Sequence, residues 1–351
     1  MGFNNSWFGG VSSYADAVKK AANLQDLNSI SEARENLSVY SKSAVDAKIS
    51  DIAAGKGNIG TFHFGTAGGA LQTSGNPMYG IVDRSYCMTL ELDEDWNLNA
   101  TSGLWINLAA DGVRASSLVY GGVWCQLTRG SDELNYLQII YGDGTNTYVN
   151  AFGTKVNVET IFGGINSTIP AGKYAVCICI HFGEGTSADP SKAYVYVNNV
   201  LKSTIGGYST TKKTNLSWVS GGKLGFFDIG NSRSVDATSF SRYVHFEGKA
   251  NRFAVFNFNL ADAGAPYSVS DYFNGRYIPV SLQSSTAEKR CILAAADYAI
   301  ARNSTTKLVK DISGNGNDLT VCGDVIGDKD AAVAAFIDEL KTQITQQSTN
   351  S

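Results

Sequence analysis

Proline is scarce, with 5 residues in a chain of 351. That excludes Pro-rich linkers and extended polyproline arms. Charge is scarce as well. Charged residues make up 17% of the chain and the net charge is −4. No basic patch stands out as an electrostatic footprint, so neither nucleic acid nor an anionic membrane is an expected partner. Histidine occurs 3 times, at His63, His181 and His245, without the spacing of metal ligands. No Cys-x-x-Cys pair is present, and neither a metal nor any other cofactor is expected. No apolar run reaches membrane-spanning length, and Met1 to Gly10 lacks the basic start of a secretory leader.

What is present favours strands and turns. Hydrophobic residues make up 43% of the chain, with 37 Gly, 17 Tyr and 16 Phe. That is enough to bury a core and to punctuate it with tight turns. The 6 cysteines lie at positions 87, 125, 177, 179, 291 and 322. Cys177 and Cys179 share one face of a strand-like run and have no bridging partner nearby in sequence. Buried, reduced thiols are therefore expected rather than a disulfide framework, as in a product folded in a reducing cytoplasm.

Periodicity divides the chain into four parts. Residues 1–57 combine an apolar peptide, carrying Phe3, Trp7 and Phe8, with short helical signals. Phe3, Trp7 and Phe8 have no local partners and are expected to dock on another protein. Ser43-Ala-Val-Asp46 forms a capping box, after which Val45, Ile49 and Ile52 make a short a/d seam. Residues 58–282 alternate with period two. Tyr86, Met88, Leu90 and Leu92 form one such run, and Tyr174, Val176, Ile178, Ile180 and Phe182 another. Asn198-Asn199 between two β-rich runs reads as a hairpin turn. Many strands without a long helix mean a sandwich or a barrel, and the span suits one sandwich of two large sheets. Residues 283–329 form an extension that includes the turn-rich Asp311-Ile-Ser-Gly-Asn-Gly-Asn-Asp318. Residues 330–351 form an amphipathic helix with a polar tail, in which Val333, Ile337, Leu340 and Ile344 make a second short seam. Such short helices need partners. Ile-rich seams favour a homotrimer, with a dimer or packing on the chain's own core as alternatives.

Three stretches carry a likeness. They are Ala193-Tyr-Val-Tyr-Val-Asn-Asn-Val-Leu201, Gly222-Lys-Leu-Gly-Phe-Phe-Asp-Ile-Gly230 and the run from Phe246 to Leu260. In that order they resemble the laminin-G-like branch of the concanavalin A-like superfamily, with Asn199 in place of the usual turn glycine. Leu27-Asn-Ser-Ile-Ser-Glu-Ala-Arg-Glu-Asn-Leu37 resembles the repeats of bacteriophage fibre shafts. Asp271-Tyr-Phe-Asn-Gly-Arg276 and the Asp311–Asp318 loop resemble segments of phage tail-fibre proteins. The resemblance implies a mainly β, concanavalin A-like jelly roll with short helical segments at both ends. It also implies a structural fibre of the virion, made in the host bacterial cytoplasm. Other virion proteins of the capsid or tail would be its partners, and the β domain would face the host surface. The alternative is a lectin that recognises host polysaccharide.

Glycosidases of that superfamily carry Glu-x-Asp-x-x-Glu on a strand. Glu91-Leu-Asp93-Glu94-Asp95-Trp96 supplies the first two acids, but Trp96 stands where the second Glu belongs. With no proton donor in the motif, the expectation is a chain that is not an enzyme and has no catalytic residues. A sugar-binding reading falls instead on Trp124, Tyr141, Asp143 and Asn146, with Trp105 and Trp218 as further candidate platforms. Against it, Asp143-Gly144 is a strong turn former. The Asp311–Asp318 loop spaces its carboxylates and amides as calcium loops do, but a rigid Gly-Asn turn is the expected reading.

Overall fold

The computed structural model describes residues 61–327, apart from 99–104, 115–118, 147–148, 166, 208–212, 219–221, 228–245, 277, 296–301, 304–307 and 310. The expected attachment residues Phe3, Trp7 and Phe8 lie outside the described residues. So do the seams Val45, Ile49, Ile52 and Val333, Ile337, Leu340, Ile344.

The described chain is mainly β. In chain order its strands are β1 (Phe62–Thr73), β2 (Arg84–Leu92), β3 (Trp105–Ala110), β4 (Val113–Arg114), β5 (Val119–Arg129) and β6 (Asn135–Asn146). There follow β7 (Val149–Ala151), β8 (Val156–Asn157), helix α1 (Val158–Phe162), β9 (Gly172–His181), β10 (Ser191–Val197) and β11 (Val200–Gly207). The last are β12 (Gly225–Phe226), β13 (Gly248–Phe256), helix α2 (Val269–Phe273), β14 (Cys291–Ala295), β15 (Arg302–Asn303), β16 (Leu308–Val309) and β17 (Leu319–Gly327). All the ladders among them are antiparallel.

The ladders make two sheets joined through one strand. In the first, β11, β10, β9, β2 and β13 follow one another, and β13 then meets the start of β1 at Phe62–Phe64. In the second, the end of β1 at Leu71–Gln72 meets β12, followed by β3, β5 and β6. Along its other edge β1 pairs with β17, with a bulge between Phe64 and Gly69. Gly68 has φ +78° there. Five steps along β1 from Phe64 to Gly69 oppose two along β17, and extra residues on one strand bend it, which carries β1 from one sheet to the other. Strands beyond residue 282 belong to the same network, since β14 pairs with β13 and β17 with β1.

Alternation puts one set of side chains from both sheets into a single core, including Tyr86, Met88, Leu90, Leu127, Ile139, Val176, Ile178 and Val195. The opposite face of β2, β9 and β13 forms a second apolar cluster. There Cys87, Cys177, Cys179 and Cys291 pack with Phe256, Phe258, Tyr267, Tyr272 and Leu282. The segment that follows β13 covers this face, so β2 is buried on both sides. All 6 cysteines are free and buried. Burial pushes the Cys87, Cys177 and Cys179 thiols above their ordinary range.

The Asn198-Asn199 hairpin forms as expected. Both residues have positive φ, 50° and 64°, which is the type I′ geometry that asparagine tolerates. Asp143-Gly144 lies in the connection of a β6–β7 hairpin, since β7 pairs back on β6 at Gly142–Val149, but it is not a tight two-residue turn. β6 continues through both residues to Asn146, opposite Val119 of β5, and Gly144 takes φ +72° inside the strand.

Candidate functional site

Cross-strand partners in a sheet put their side chains on the same face. Across β9, β2, β13 and β1 the register sets Lys173, Glu91, Lys249 and His63 in one row. The next row inward is Ala175, Thr89 and Asn251. In the outward direction Asp93 and Glu247 stand just past the ends of β2 and β13. The result is a polar, charged strip on the outer face of the first sheet, beyond the edge of the cysteine cluster.

Lys249 organises the strip. Its Nζ donates to Asp93 Oδ1 at 2.9 Å and lies 3.6 Å from Glu91 Oε1. Glu91 also lies 3.7 Å from Lys173. The hydrogen bond to Asp93 holds the Lys249 ammonium above its usual pKa, against the opposing effect of burial. Gly248 sits beside it with φ +150°, and a Cβ there would come within 3.0 Å of the Glu91 carbonyl. Glycine is what lets β13 run this close to β2.

At the strand ends the strip opens into a cleft of about 610 Å³, lined by Asp93, Glu94, Asp95, Trp96 and Glu247, with His63 and Lys249 on its walls. Trp96 is pinned rather than loose. Its N–H donates to the Ile169 carbonyl at 2.8 Å, its own carbonyl accepts from Ile169 at 2.9 Å, and its ring stands edge-on to Phe246. Asp95 accepts from the Ala171 N–H at 2.8 Å. Four carboxylates and an indole in one cleft can hydrogen-bond hydroxyls and stack on a sugar ring.

Of the residues expected to bind sugar, Trp124 and Tyr141 do not converge. In the β5–β6 ladder Trp124 faces Ile140 and Tyr141 faces Val123, so the two rings lie on opposite faces. Trp124 is 5% exposed and packs over Gly112, where a Cβ would meet its ring at 2.2 Å. Tyr141 is 1% exposed, edge-on to Phe182 at 5.4 Å, and offers a sugar no face. Asp143 is half-buried and pairs with Gly121, while Asn146 ends β6. Trp218 is half-buried between the exposed Tyr79 ring, 5.9 Å away, and the Arg84 guanidinium, 4.9 Å away.

The Asp311–Asp318 loop is a clamp made by its own side chains. Asp311 accepts from Ala294, Ser313 and Asn317 N–H groups and from the Ser313 hydroxyl, all at 2.8–3.0 Å. Asn315 and Asn317 donate to the Cys291 and Ile292 carbonyls of β14. These donors occupy Asp311, the central carboxylate that a calcium ion would need.

Sequence reasoning reached Glu91, Asp93, Glu94, Asp95 and Trp96 through the glycosidase-like motif, but missed Glu247, Lys249 and Lys173. The alternation Lys249, Ala250, Asn251 marks a one-sided strand, which signals exposure but not which strand it pairs with. The second carboxylate is absent from the Glu91–Trp96 motif because it comes from Glu247, just before β13.

No protein-family model matches this sequence, and no curated protein matches it. Two solved structures that it resembles come from bacteriophage tailspikes. One is the full-length tailspike protein 2 of an Escherichia coli O157:H7 bacteriophage, at TM-score 0.37 and 14% identity, over 65% of this chain and 25% of that one. The other is the enzymatically active domain of bacteriophage CBA120 tailspike protein 2, at TM-score 0.36 and 15% identity, over 65% of this chain and 28% of that one. This chain thus spans about a quarter of the length of each neighbour. The expectation that the chain is not an enzyme is corrected here, because one of these neighbours is an enzymatically active domain. The reason given for that expectation also lapses: Trp96 leaves β2 without a second acid, but Glu247 brings one to the same cleft.

Proposed function

We propose that this chain is a bacteriophage tail protein that takes host-surface polysaccharide into the Asp93–Glu247 cleft and hydrolyses it there. One observation carries the reading: two carboxylates from the ends of different strands line one cleft together with a pinned tryptophan. Glycoside hydrolysis needs two carboxyl groups, one as acid and the other as base or nucleophile. The ammonium of Lys249 bonds Asp93, and Glu247 stands in the same cleft as the second carboxyl group. Trp96 supplies the apolar surface against which a sugar ring stacks. The two sheets are read as a concanavalin A-like β-sandwich, which the single shared core supports. The order of the fibre-like and laminin-G-like stretches along the chain supports the phage assignment. Phe3, Trp7 and Phe8 would then serve attachment to the particle.

The test is release of reducing ends from host capsular and O-antigen polysaccharides by the purified full chain. Asp93→Asn and Glu247→Gln should each lower the rate by about a hundredfold or more while leaving the protein folded. Activity that survives both substitutions, or no activity on the polysaccharide of a host the particle infects, would refute the reading.

A further inference from the structure

Next to the acidic cleft, on the same strip, lies a second hollow of about 350 Å³ with the opposite charge. Its lining includes Lys173, Lys249 and Arg252 against the single carboxylate of Glu91, with Asn198 and Asn251 beside them. Lys249 is the wall that the two hollows share.

The fold builds this hollow in two steps. The segment after β13 covers the cysteine face of β2 and β9 as far as Thr89, which is buried, and stops short of the row at Glu91 and Lys173, which is partly exposed. A bulge in β13 between Asn251 and Ala254 then places Arg252 at φ +53° on the rim. The Tyr272 carbonyl accepts from one terminal nitrogen of Arg252 at 2.5 Å, and the guanidinium lies 4.8 Å from the centre of the Tyr272 ring. Arg252 is thereby fixed in place, and a guanidinium carries five donors in all. Bulges that re-aim a side chain beside a site are a recurrent device.

Within the strip Lys249 bonds Asp93 at 2.9 Å, while Glu91 lies 3.6 Å from Lys249 and 3.7 Å from Lys173, which is 60% exposed. Two carboxylates thus face the three cations Lys173, Lys249 and Arg252. The hollow therefore keeps an excess of positive charge, two residues along the sheet from a cleft with an excess of negative charge. A neutral polysaccharide has no use for such a gradient. We propose that this hollow binds the carboxylate of an acidic sugar, so that the substrate is an anionic polysaccharide. One ring of it would be anchored over Lys173 and Arg252 while its neighbour enters the cleft. This deepens the proposed function and rests on it. Charge-assisted hydrogen bonds to a carboxylate are about twice as strong as neutral ones, and they weaken in salt only as far as they are exposed.

The experiment presents the full chain to an array of acidic and neutral bacterial polysaccharides. Calorimetry follows on any acidic glycan bound and on the same glycan with its carboxyls reduced to alcohols. Lys173→Ser, at an exposed position, is measured beside the native chain, and Asp93→Asn serves as the cleft variant. The expected result is binding confined to acidic glycans, lost on carboxyl reduction and weakened about tenfold by Lys173→Ser. Neutral and acidic glycans bound alike, with Lys173→Ser without effect and Asp93→Asn disruptive, would overturn the anionic preference and leave the cleft reading standing. No binding to any glycan by the native chain would overturn both.

Discussion

At the scale of single residues, buried and paired charges govern. Arg84 and Asp111 form an ion pair with no exposed side-chain surface. Arg84 also donates to the Ile81 and Val82 carbonyls, and Asp111 accepts from the Val123 N–H at 2.8 Å. Asp111→Ala strands a buried guanidinium and should destabilise the chain by about 3–5 kcal/mol in urea unfolding. A loss under 1 kcal/mol would show that water reaches the pair. His181 lies between two carboxylates, with Nδ1 3.1 Å from Asp83 and Nε2 2.8 Å from Asp189. The hydrogen bond to Asp83, with Asp189 adding to it, raises its pKa to about 9 from 6.5. A raised folded-state pKa gives stability that is full below the unfolded value and disappears as pH rises through the folded one. His181→Asn should therefore cost stability at pH 6, on the order of 1 kcal/mol after solvent screening, and cost little above pH 9.5. Melting curves of the two proteins from pH 6 to 10 would disprove this if the gap stayed constant.

At the scale of elements, short pieces hold because their ends are capped. α2 spans five residues, too few to persist alone. The Ser268 hydroxyl accepts from the Asp271 N–H, and Asp271 Oδ2 accepts from the Ser268 N–H at 2.9 Å, which makes a complete capping box. Ser268→Ala should cost about 1 kcal/mol and loosen the cover over the cysteine face, read as faster labelling of Cys87 and Cys177 by a thiol reagent. The Asp311 loop is the clamp that fastens the chain to β14. Asp311→Ala should cost about 3 kcal/mol, whereas a calcium chelator should leave the native melting temperature unchanged. A melting temperature that falls with the chelator would restore the calcium reading.

At the scale of the whole molecule, the proposals concern assembly. The seam Val333, Ile337, Leu340, Ile344 and the shorter seam Val45, Ile49, Ile52 are proposed to join three copies, since Ile-rich seams favour three or more strands. Light scattering should give the mass of a trimer, and Ile337→Asp with Ile344→Asp should lower it. A monomer mass unchanged by that pair would sink the proposal. Deleting residues 1–11 should leave glycan binding intact but prevent incorporation into particles. The acidic cleft and the basic hollow lie on one sheet of one copy, so monomeric and trimeric forms should cleave equally per chain.

Local sequence determined what depends on neighbours along the chain. The alternation from Tyr86 to Leu92 and from Tyr174 to Phe182 specified strands because period two repeats within a few residues. Asn198-Asn199 specified a hairpin because both residues accept positive φ. Cys177 and Cys179 were legible as one buried face for the same reason. Tertiary structure alone decided which strands meet. Lys249 reaches Asp93 across 156 residues, and no local pattern encodes that register. The bulge after Phe64 that turns β1 from one sheet to the other settles which ends lie together. Trp124 and Tyr141 looked like a site because they are aromatic and near Asp143, yet the ladder turns them to opposite faces. A site assembled from four strands is written in the pairing of distant segments. That pairing is set by the burial of two faces at once, which no single strand can report.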